Sequence, residues 1–340
     1  SKEPIIPIME NGKTRWFVVD PKLYDALSSL DVYRLQGVTG LILEGTLGRL
    51  ARLFRAGTTG FRASFGLVWN MLRDPQTLWV NSQSSANGAK LFLAWMRSMG
   101  EAASGTLGGP ESKVYEAFTN LGAQMAQPLG QDIPQTRLAT RQVFQGRVVR
   151  RLDPRNWFGF LQELFQFPEA APRMAELRTL AQDIGWEPGT PMTLGQSLQL
   201  LLAAKQVTTD FTAAGKFSRA INRIVPFHNA AIQGPRANIR AAKRNPMKFA
   251  TRGLQLTVIT LFLWWKYKDE EWYTQMDYRE KFLNWHFPID VPEPTLVRLP
   301  RSFEVGMIFS ALPEAFADSW YRQNPEAMTE WMRTFYETSK

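Results

Sequence analysis

Residues 205–252 read KQVTTDFTAAGKFSRAINRIVPFHNAAIQGPRANIRAAKRNPMKFATR, and they form the most unevenly charged part of the chain. The stretch contains ten Lys and Arg residues and a single acidic residue, Asp210. The net charge of the whole 340-residue chain is +9, so the excess of positive charge is confined to this stretch. Such a local excess indicates a polyanionic partner rather than a general role in solubility.

The charged stretch is predicted to form three helices. Lys216, Arg219 and Arg223 share one face of the first helix, which should end near Pro226. Gly234-Pro235 is predicted to begin the second helix, where arginines recur every four residues, and Asn245-Pro246 to begin the third. The residues predicted to bind a polyanion, DNA or lipid phosphate, are Lys216, Arg219, Arg223, Arg236, Arg240, Lys243, Arg244, Lys248 and Arg252. The alternative is a solvated face, or ion pairs with the acidic C-terminal part of the chain.

An uncharged segment separates the first two predicted helices. We interpret it as a structural corner that orients the two arginine-bearing faces. Its residues are Pro226, Phe227, His228, Asn229 and Gly234.

The third helix carries the most apolar run of the chain, residues 254–265. A membrane-spanning helix needs about 20 apolar residues, and this run is shorter. The favoured interpretation is a buried core helix, and the alternative is a helix at a membrane interface. The residues concerned are Leu254, Leu256, Ile259, Phe262, Trp264 and Trp265.

The remainder of the chain is predicted to be mostly helical after a short N-terminal β-hairpin, whose turn is Asn11-Gly12. Helices are expected over residues 61–72, 157–167 and 174–184, with a loop at 100–110. A second basic stripe consists of Arg49, Arg52 and Arg55. Prolines after residue 286 predict an extended, irregular connection before the last two helices.

The fold class that follows is mainly α, a multi-helical, extended assembly. We expect four segments in one continuous structural unit that belongs to a longer chain. They are the hairpin and first helix (1–30), a helical body (31–204), the basic helices with the apolar helix (205–268), and an acidic helical segment (269–340).

Composition narrows the chemistry that the chain can perform. The absence of cysteine excludes disulfides, thiolate zinc sites and cysteine nucleophiles. The only histidines, His228 and His286, lie far apart in the sequence, and no carboxylate pair has the setting of an acid and base couple. We therefore predict no catalytic residue, no metal site and no cofactor.

Several short blocks occur in order along the chain. They are Asn11-Gly12-Lys13 with Asp20-Pro21; Arg55-Ala56-Gly57; Asn70 with Arg73-Asp74; Pro172-Arg173 with Glu176; Asp210-Phe211 with Gly215; Pro226-Phe227-His228-Asn229-Ala230 with Gln233-Gly234; Trp272-Tyr273; and Leu299-Pro300 with Phe303-Glu304. With these blocks, the chain resembles the large polyvalent protein-associated domains of giant phage and mobile-element proteins. The resemblance is strongest over residues 210–234, where His228 stands in place of an expected second aromatic residue.

The resemblance implies a part of an internal virion or ejection protein, a long chain packaged in the capsid and delivered into the host with the genome. From it we expect a non-enzymatic structural component that forms a ring or tube of identical copies and helps to form the DNA path across the host envelope. The implied partners are other ejection or portal proteins, double-stranded DNA without sequence specificity, and the host membrane. The implied locations are the virion interior and then the host envelope.

Two other classes of function remain open at this point. One is a co-delivered effector, an interaction module that protects the incoming DNA from host restriction. The other is an enzyme such as a peptidoglycan hydrolase, which would require activity of the chain on cell-wall substrate.

Overall fold

The computed structural model describes residues 5–10, 13–18, 70–107, 109–123, 157–210, 228–290 and 294–338, and they confirm a mainly helical fold. The first elements are β1 (Ile5–Glu10), β2 (Lys13–Val18), α1 (Asn70–Asn81), α2 (Gly88–Leu107), α3 (Lys113–Asn120), α4 (Trp157–Asp183) and α5 (Leu194–Gln206). They are followed by α6 (His228–Arg244), α7 (Pro246–Tyr267), α8 (Glu271–Thr274), α9 (Tyr278–Leu283), β3 (Asn284–Asp290), β4 (Pro294–Pro300), α10 (Glu304–Gly306), a π-helical turn (Met307–Ala311), α11 (Leu312–Arg322) and α12 (Glu326–Thr338).

Backbone contacts divide the chain into two compact units. The first comprises Ser1–Arg55, Ala126–Phe144 and Ala214–Asn229, and the second comprises Ala56–Met125, Gln145–Ala213 and Ala230–Lys340. In the first unit, β1 and β2 pair as an antiparallel hairpin in a register that sets Glu10 opposite Lys13. The predicted N-terminal β-hairpin is therefore confirmed, with Asn11-Gly12 between its strands.

The second unit is held together by buried apolar side chains from helices that are distant in sequence. In the part formed by α2 to α5, Phe118 of α3 packs with Met174 and Leu177 of α4 and with Leu200 of α5, all of them fully buried. Apolar burial of this kind stabilises by about 1.5–3 kcal/mol per large side chain. The helix α4 is thus the centre of this part of the unit.

A second core lies in the C-terminal part of the unit. Phe282 of α9 packs against Met307, Ala311 and Ala315 on the π-helical turn and α11, and against Ala327 of α12. A neighbouring cluster joins Leu256 of α7 with Val80, Trp285 and Val305. The helix α7 is therefore packed along one side against α1 and the C-terminal elements.

Among the described residues, four prolines lie inside helices at places where a helix end, a break or a helix start was expected. Pro75 lies in α1, Pro168 and Pro172 lie in α4, and Pro235 lies in α6. The predicted break between residues 167 and 174 is therefore wrong, as is the predicted helix end at Pro75. An internal proline lacks the N–H that would bond to the carbonyl four residues earlier, at a cost of about 3 kcal/mol. In α4, burial of the residues that follow Pro172 offsets this cost.

The predicted loop at residues 100–110 is also wrong, because α2 continues to Leu107. The glycine at position 105 suggested a loop, but it has a packing role. A Cβ atom at Gly105 would lie 2.4 Å from the ring of Tyr115. Glycine therefore permits α3 to approach α2 closely.

The proline-rich connection is extended as predicted, but it is regular rather than irregular. β3 and β4 pair as an antiparallel hairpin that sets Pro288 opposite Leu296 and Asp290 opposite Pro294. Both strands of a two-stranded sheet are edge strands, where proline is tolerated. The prolines in this segment are thus compatible with a regular β-hairpin, which the sequence pattern did not indicate.

The predicted start of α7 is confirmed. The Asn245 side chain accepts a hydrogen bond from the Lys248 backbone N–H at 3.0 Å, and Pro246 occupies the first turn. An asparagine cap followed by proline is a strong start signal because it satisfies a free N–H and removes another. Asn245 also separates α6 from α7, so that their cationic residues lie on different helices.

Candidate polyanion interface

The helix α6 exposes cations in a long region without acidic residues. No Asp or Glu occurs between Asp210 and Asp269. Arg236, Lys243 and Arg244 are all exposed on α6. Arg244 donates a hydrogen bond to Gln206 Oε1 at 2.7 Å. Because the glutamine side chain is neutral, this contact does not neutralise the guanidinium charge. These residues can therefore meet an external anion.

Arg240 belongs to the same four-residue row but is half-buried. Its Nε and Nη2 atoms are buried and have no hydrogen-bond partner in the part of the chain that the structure describes. Partial burial lowers the pKa of the neighbouring Arg244, Glu176 opposes that shift, and repulsion from Arg240 adds to it. The row is thus exposed at its two ends and partly buried in its middle.

Arg252 of α7 faces the protein interior instead. Its Nη1 atom donates to the carbonyl oxygens of Trp79 at 3.0 Å and Ser82 at 3.1 Å. Its Nη2 atom donates to those of Ser84 at 3.2 Å and Ala86 at 2.9 Å. The guanidinium also lies over the Trp79 ring, 4.5 Å from its centroid. Arg252 is only 5% exposed, so its donors are committed to the fold and are not free for an external polyanion.

Lys248, one turn before Arg252, also binds the loop between α1 and α2. Its Nζ atom donates to the carbonyl oxygen of Gln83 at 2.9 Å and to that of Ser84. From the other side, Glu176 of α4 accepts a hydrogen bond from the Gln83 backbone N–H at 2.7 Å. We call residues 82–87, between α1 and α2, the clamped loop. Its backbone carbonyl oxygens are the internal hydrogen-bond acceptors of the α7 cations.

Burial dominates the protonation equilibria around the clamped loop. It raises the pKa of the Glu176 carboxyl, although hydrogen bonds from Ser82 and Gln83 and the charges of Lys248 and Arg252 oppose the shift. It lowers the pKa of Lys248 and of Arg252. The group is therefore a desolvated polar junction between α1, α4 and α7.

Three of the nine predicted polyanion-binding residues, Lys216, Arg219 and Arg223, lie outside the described residues. The separately predicted second basic stripe, Arg49, Arg52 and Arg55, also lies outside them. Pro226 and Phe227 of the predicted corner also lie outside them. The residues of the predicted set that the structure describes are therefore those of α6 and α7.

The C-terminal end of the predicted corner is wrong, because His228, Asn229 and Gly234 all lie within α6. Gly234 has a packing role rather than a turn role. A Cβ atom there would lie 2.1 Å from Oε1 of Glu304, a residue whose carboxyl pKa is raised by burial. The glycine thus makes room for a carboxyl group against the helix.

The two sides of α7 differ sharply, so the core interpretation holds for one side only. Leu256 is buried and Trp264 is half-buried, with its Nε1 donating to Asp318 Oδ1 at 3.1 Å. The other predicted residues of the apolar run are exposed, namely Leu254, Ile259, Phe262 and Trp265. Among the described residues, no helix combines the length and apolar character needed to cross a bilayer.

A buried charged cluster in the C-terminal segment escaped the sequence analysis. Arg301 and Glu314 form an ion pair in which both side chains are almost completely buried. Tyr273 donates to the other oxygen of Glu314 at 2.5 Å, and burial raises the pKa of this phenol. Lys281 lies against the rings of Tyr273 and Tyr278, 4.5 and 4.6 Å from their centroids. These partners are far apart in sequence, so no local pattern indicated them.

A neighbouring carboxylate, Asp318 of α11, also gathers several donors. Besides Trp264, it accepts hydrogen bonds from Arg322 Nε at 2.9 Å and from the Tyr278 hydroxyl at 3.3 Å. Only the pair with Arg322, four residues apart on a helix, was recognisable in the sequence. The acidic C-terminal segment therefore satisfies many of its own charges.

The histidine that the structure describes in full is buried. His286 is 6% exposed, and its Nε2 atom lies 3.4 Å from Oε1 of Glu280. Burial lowers its pKa, and the contact with Glu280 opposes that shift. Within the described ranges, no group of three or more His, Asp or Glu side chains is placed to hold a metal ion.

Several residues of the family-like blocks make internal polar contacts. Arg173 is buried and donates to Thr208 Oγ1 and Glu169 Oε1, both at 3.0 Å. Burial, with Glu169 nearby, raises the pKa of Asp74 to about 7, against the opposing charges of Arg173 and Arg73. These residues therefore make polar contacts within the fold.

Comparison with known proteins gives one family match. Residues 270–340 match the model of the large polyvalent protein associated domain 38. The match includes the blocks at Trp272-Tyr273 and Phe303-Glu304, and it begins downstream of residues 210–234, where the resemblance was expected to be strongest. No curated protein and no solved structure is significantly similar to the chain. The C-terminal segment, with its buried charged cluster, is thus similar to the large polyvalent protein associated domains.

Proposed function

We propose that the chain is a non-enzymatic structural part of a phage internal virion or ejection protein, and that α6 contacts the phosphate backbone of the accompanying DNA. The observation that carries the proposal is the exposure of Arg236, Lys243 and Arg244 on a helix that lies in a stretch of sequence, residues 211–268, without Asp or Glu. Exposed cations without paired carboxylates bind phosphates with release of condensed counterions.

The proposed contact has no sequence specificity. Long, solvated Arg and Lys side chains reach phosphates, whereas base readout needs an element inserted into a groove with side chains at the base edges. The exposed cations of α6 recur at helical spacing and can follow a backbone. Binding without sequence specificity suits a protein that must accompany a genome of any sequence.

The proposed structural role is supported by the location of the titratable groups that have shifted pKa values. Glu176, Tyr273 and Lys281 have shifted pKa values, and each is buried in contacts with the rest of the protein. Shifted pKa values mark catalytic groups when they face a cleft, but they also arise in structural networks. Here they belong to the junctions that join the helices.

The phage context rests on the family-like segment at residues 270–340. In this proposal, the protein resides in the virion interior and then at the host envelope. Copies of it associate as a ring or tube with other ejection or portal proteins and line the DNA path, with contact to the host membrane.

The test is charge reversal on α6. The double variant Arg236→Glu/Arg244→Glu should bind duplexes of about 20 base pairs at least tenfold more weakly than the wild type. Two unrelated duplex sequences should give equal affinities. The matched control is Lys90→Glu/Lys113→Glu, which changes the net charge equally at two exposed lysines outside α6.

The control should retain nearly wild-type affinity in fluorescence anisotropy. An unchanged affinity of the α6 variant would overturn the proposal. An equal loss in both variants would show that total charge alone governs binding, which also removes the assigned interface. Preference for one duplex sequence would contradict a backbone grip.

A further inference from the structure

The outward side of α7 is an apolar stripe on a helix whose other side is packed. We call it the α7 stripe, and its residues are Met247, Leu254, Val258, Ile259, Phe262 and Trp265. At 1.5 Å per residue, it extends about 27 Å along the helix. Val258, at its centre, is 67% exposed and Trp265 is 66% exposed. An exposed, mainly apolar face of this length indicates an interaction surface.

The two ends of the α7 stripe differ in net charge. Lys243 and Arg244 precede the stripe, whereas the segment 266–271 that follows it contains Lys266 and Lys268 with Asp269, Glu270 and Glu271, a net charge of −1. Lys268 pairs with Asp269, and Lys243, Glu270 and Glu271 are exposed. Within the described part of the chain, Lys243 and Glu270 form no ion pair. The helix dipole has the same polarity, with its positive end beside Lys243.

We infer that the α7 stripe is the contact surface for a second copy of this chain, in an antiparallel, two-fold arrangement. Rotation about an axis near Val258 places apolar residues against apolar residues. The same rotation brings Lys243 of each copy towards the acidic end of the other copy. Such a self-complementary patch is what a two-fold interface requires, because each residue meets its symmetry-related counterpart.

A bilayer fits the same surface less well. At the C-terminal end of the stripe, Glu270 and Glu271 outnumber the exposed Lys266, because Asp269 is paired with Lys268, so this end would be repelled by anionic headgroups. Thr251 and Gln255 are exposed between the apolar residues, and they would lose hydrogen bonds to water on insertion. In a helix pair, such side chains can remain at the polar rim.

The absence of cysteine makes the contact directly testable. A single Val258→Cys substitution in the full chain places two thiols next to the two-fold axis. Mild oxidation without DNA should then give a disulfide-linked dimer on a non-reducing gel. The matched control is Leu198→Cys on α5, an apolar residue that is 49% exposed and lies outside the α7 stripe, so it should form no disulfide-linked dimer.

Charge swaps test the antiparallel direction. In the Val258→Cys background, Lys243→Glu or Glu270→Lys alone should lower the cross-linked yield about fivefold, because each places like charges together. The combined Lys243→Glu/Glu270→Lys variant should restore the yield. Sedimentation of the wild type without DNA should show a dimer whose population falls in the Glu270→Lys variant.

The inference is overturned if Val258→Cys cross-links no better than Leu198→Cys, or if the combined charge swap fails to restore the yield. Monomeric protein that floats with vesicles containing anionic lipid would instead assign the α7 stripe to a membrane. These outcomes are independent of DNA affinity, so failure here leaves the proposed α6 contact standing.

Discussion

The helices α6 and α7 share one basic stretch of sequence, yet their cations have opposite roles. Arg236 and Arg244 on α6 are exposed, whereas Arg252 on α7 is buried against the carbonyl oxygens of the clamped loop. The residue type and the helical spacing are alike on both helices. What differs is a polar loop from a distant part of the chain, which packs against α7.

A high local density of cations therefore does not indicate which of them can contact a ligand and which contact the fold itself. Arg252 satisfies carbonyls that lie 166 to 173 residues away in the sequence. A buried guanidinium stays charged, so it must have such partners. Removing an arginine charge from α7 should therefore lower the stability of the fold. Removing arginine charges from α6 should instead weaken anion binding.

The largest expected effect is on stability. Arg252→Met removes a donor from four buried or partly buried carbonyl groups, of which only that of Ser84 keeps Lys248 as a donor, so we expect a loss of about 3–5 kcal/mol in the free energy of unfolding. The matched control, Arg236→Met, should change it by no more than about 0.5 kcal/mol. Urea unfolding followed by circular dichroism measures both. Equal losses would remove the distinction between the two helices.

A smaller effect concerns pH and the carboxyl group that faces the α7 cations. Burial raises the pKa of Glu176 above its unfolded value, so the neutral form is favoured in the folded protein. The associated stability is fully present below the unfolded pKa, about 4.3, and is lost as pH rises through the folded pKa. Glu176→Gln should therefore flatten the decline in stability with rising pH.

Urea unfolding at a series of pH values measures this difference. Part of the decline should persist in the variant, because the pKa of Asp74 is also raised, to about 7. A pH dependence identical to that of the wild type would contradict the assignment to Glu176.

Local signals predicted the parts of the fold that depend on local chemistry. Asn11-Gly12 correctly indicated a hairpin, and Asn245-Pro246 correctly indicated the start of α7. Both work through hydrogen bonds and backbone angles within a few residues. The mainly helical class followed in the same way from apolar periodicity.

Prolines and glycines misled the sequence analysis wherever packing outweighed local preference. Pro172 and Pro235 lie inside helices, and the residue before each of them is buried. Gly105 and Gly234 looked like turn residues, but each makes room for a side chain from another element. No residue near them in the sequence indicates that partner.

Only part of the candidate polyanion interface could be predicted from the sequence. The row of arginines on α6 followed from four-residue spacing, whereas the burial of Lys248 and Arg252 did not. Their partners are backbone carbonyls, which have no signature in the sequence. The ion pair of Arg301 and Glu314 was missed because its members lie on different elements.

The most direct test of the difference between α6 and α7 is the salt dependence of duplex DNA binding. Each lost phosphate contact should reduce the slope of log K against log salt by about 0.9. Arg236→Met/Arg244→Met should therefore reduce the slope by about 1.8, while Lys248→Met should leave it unchanged because Lys248 is engaged with the clamped loop. An unchanged slope in the α6 variant, or a reduced slope in Lys248→Met, would contradict this account.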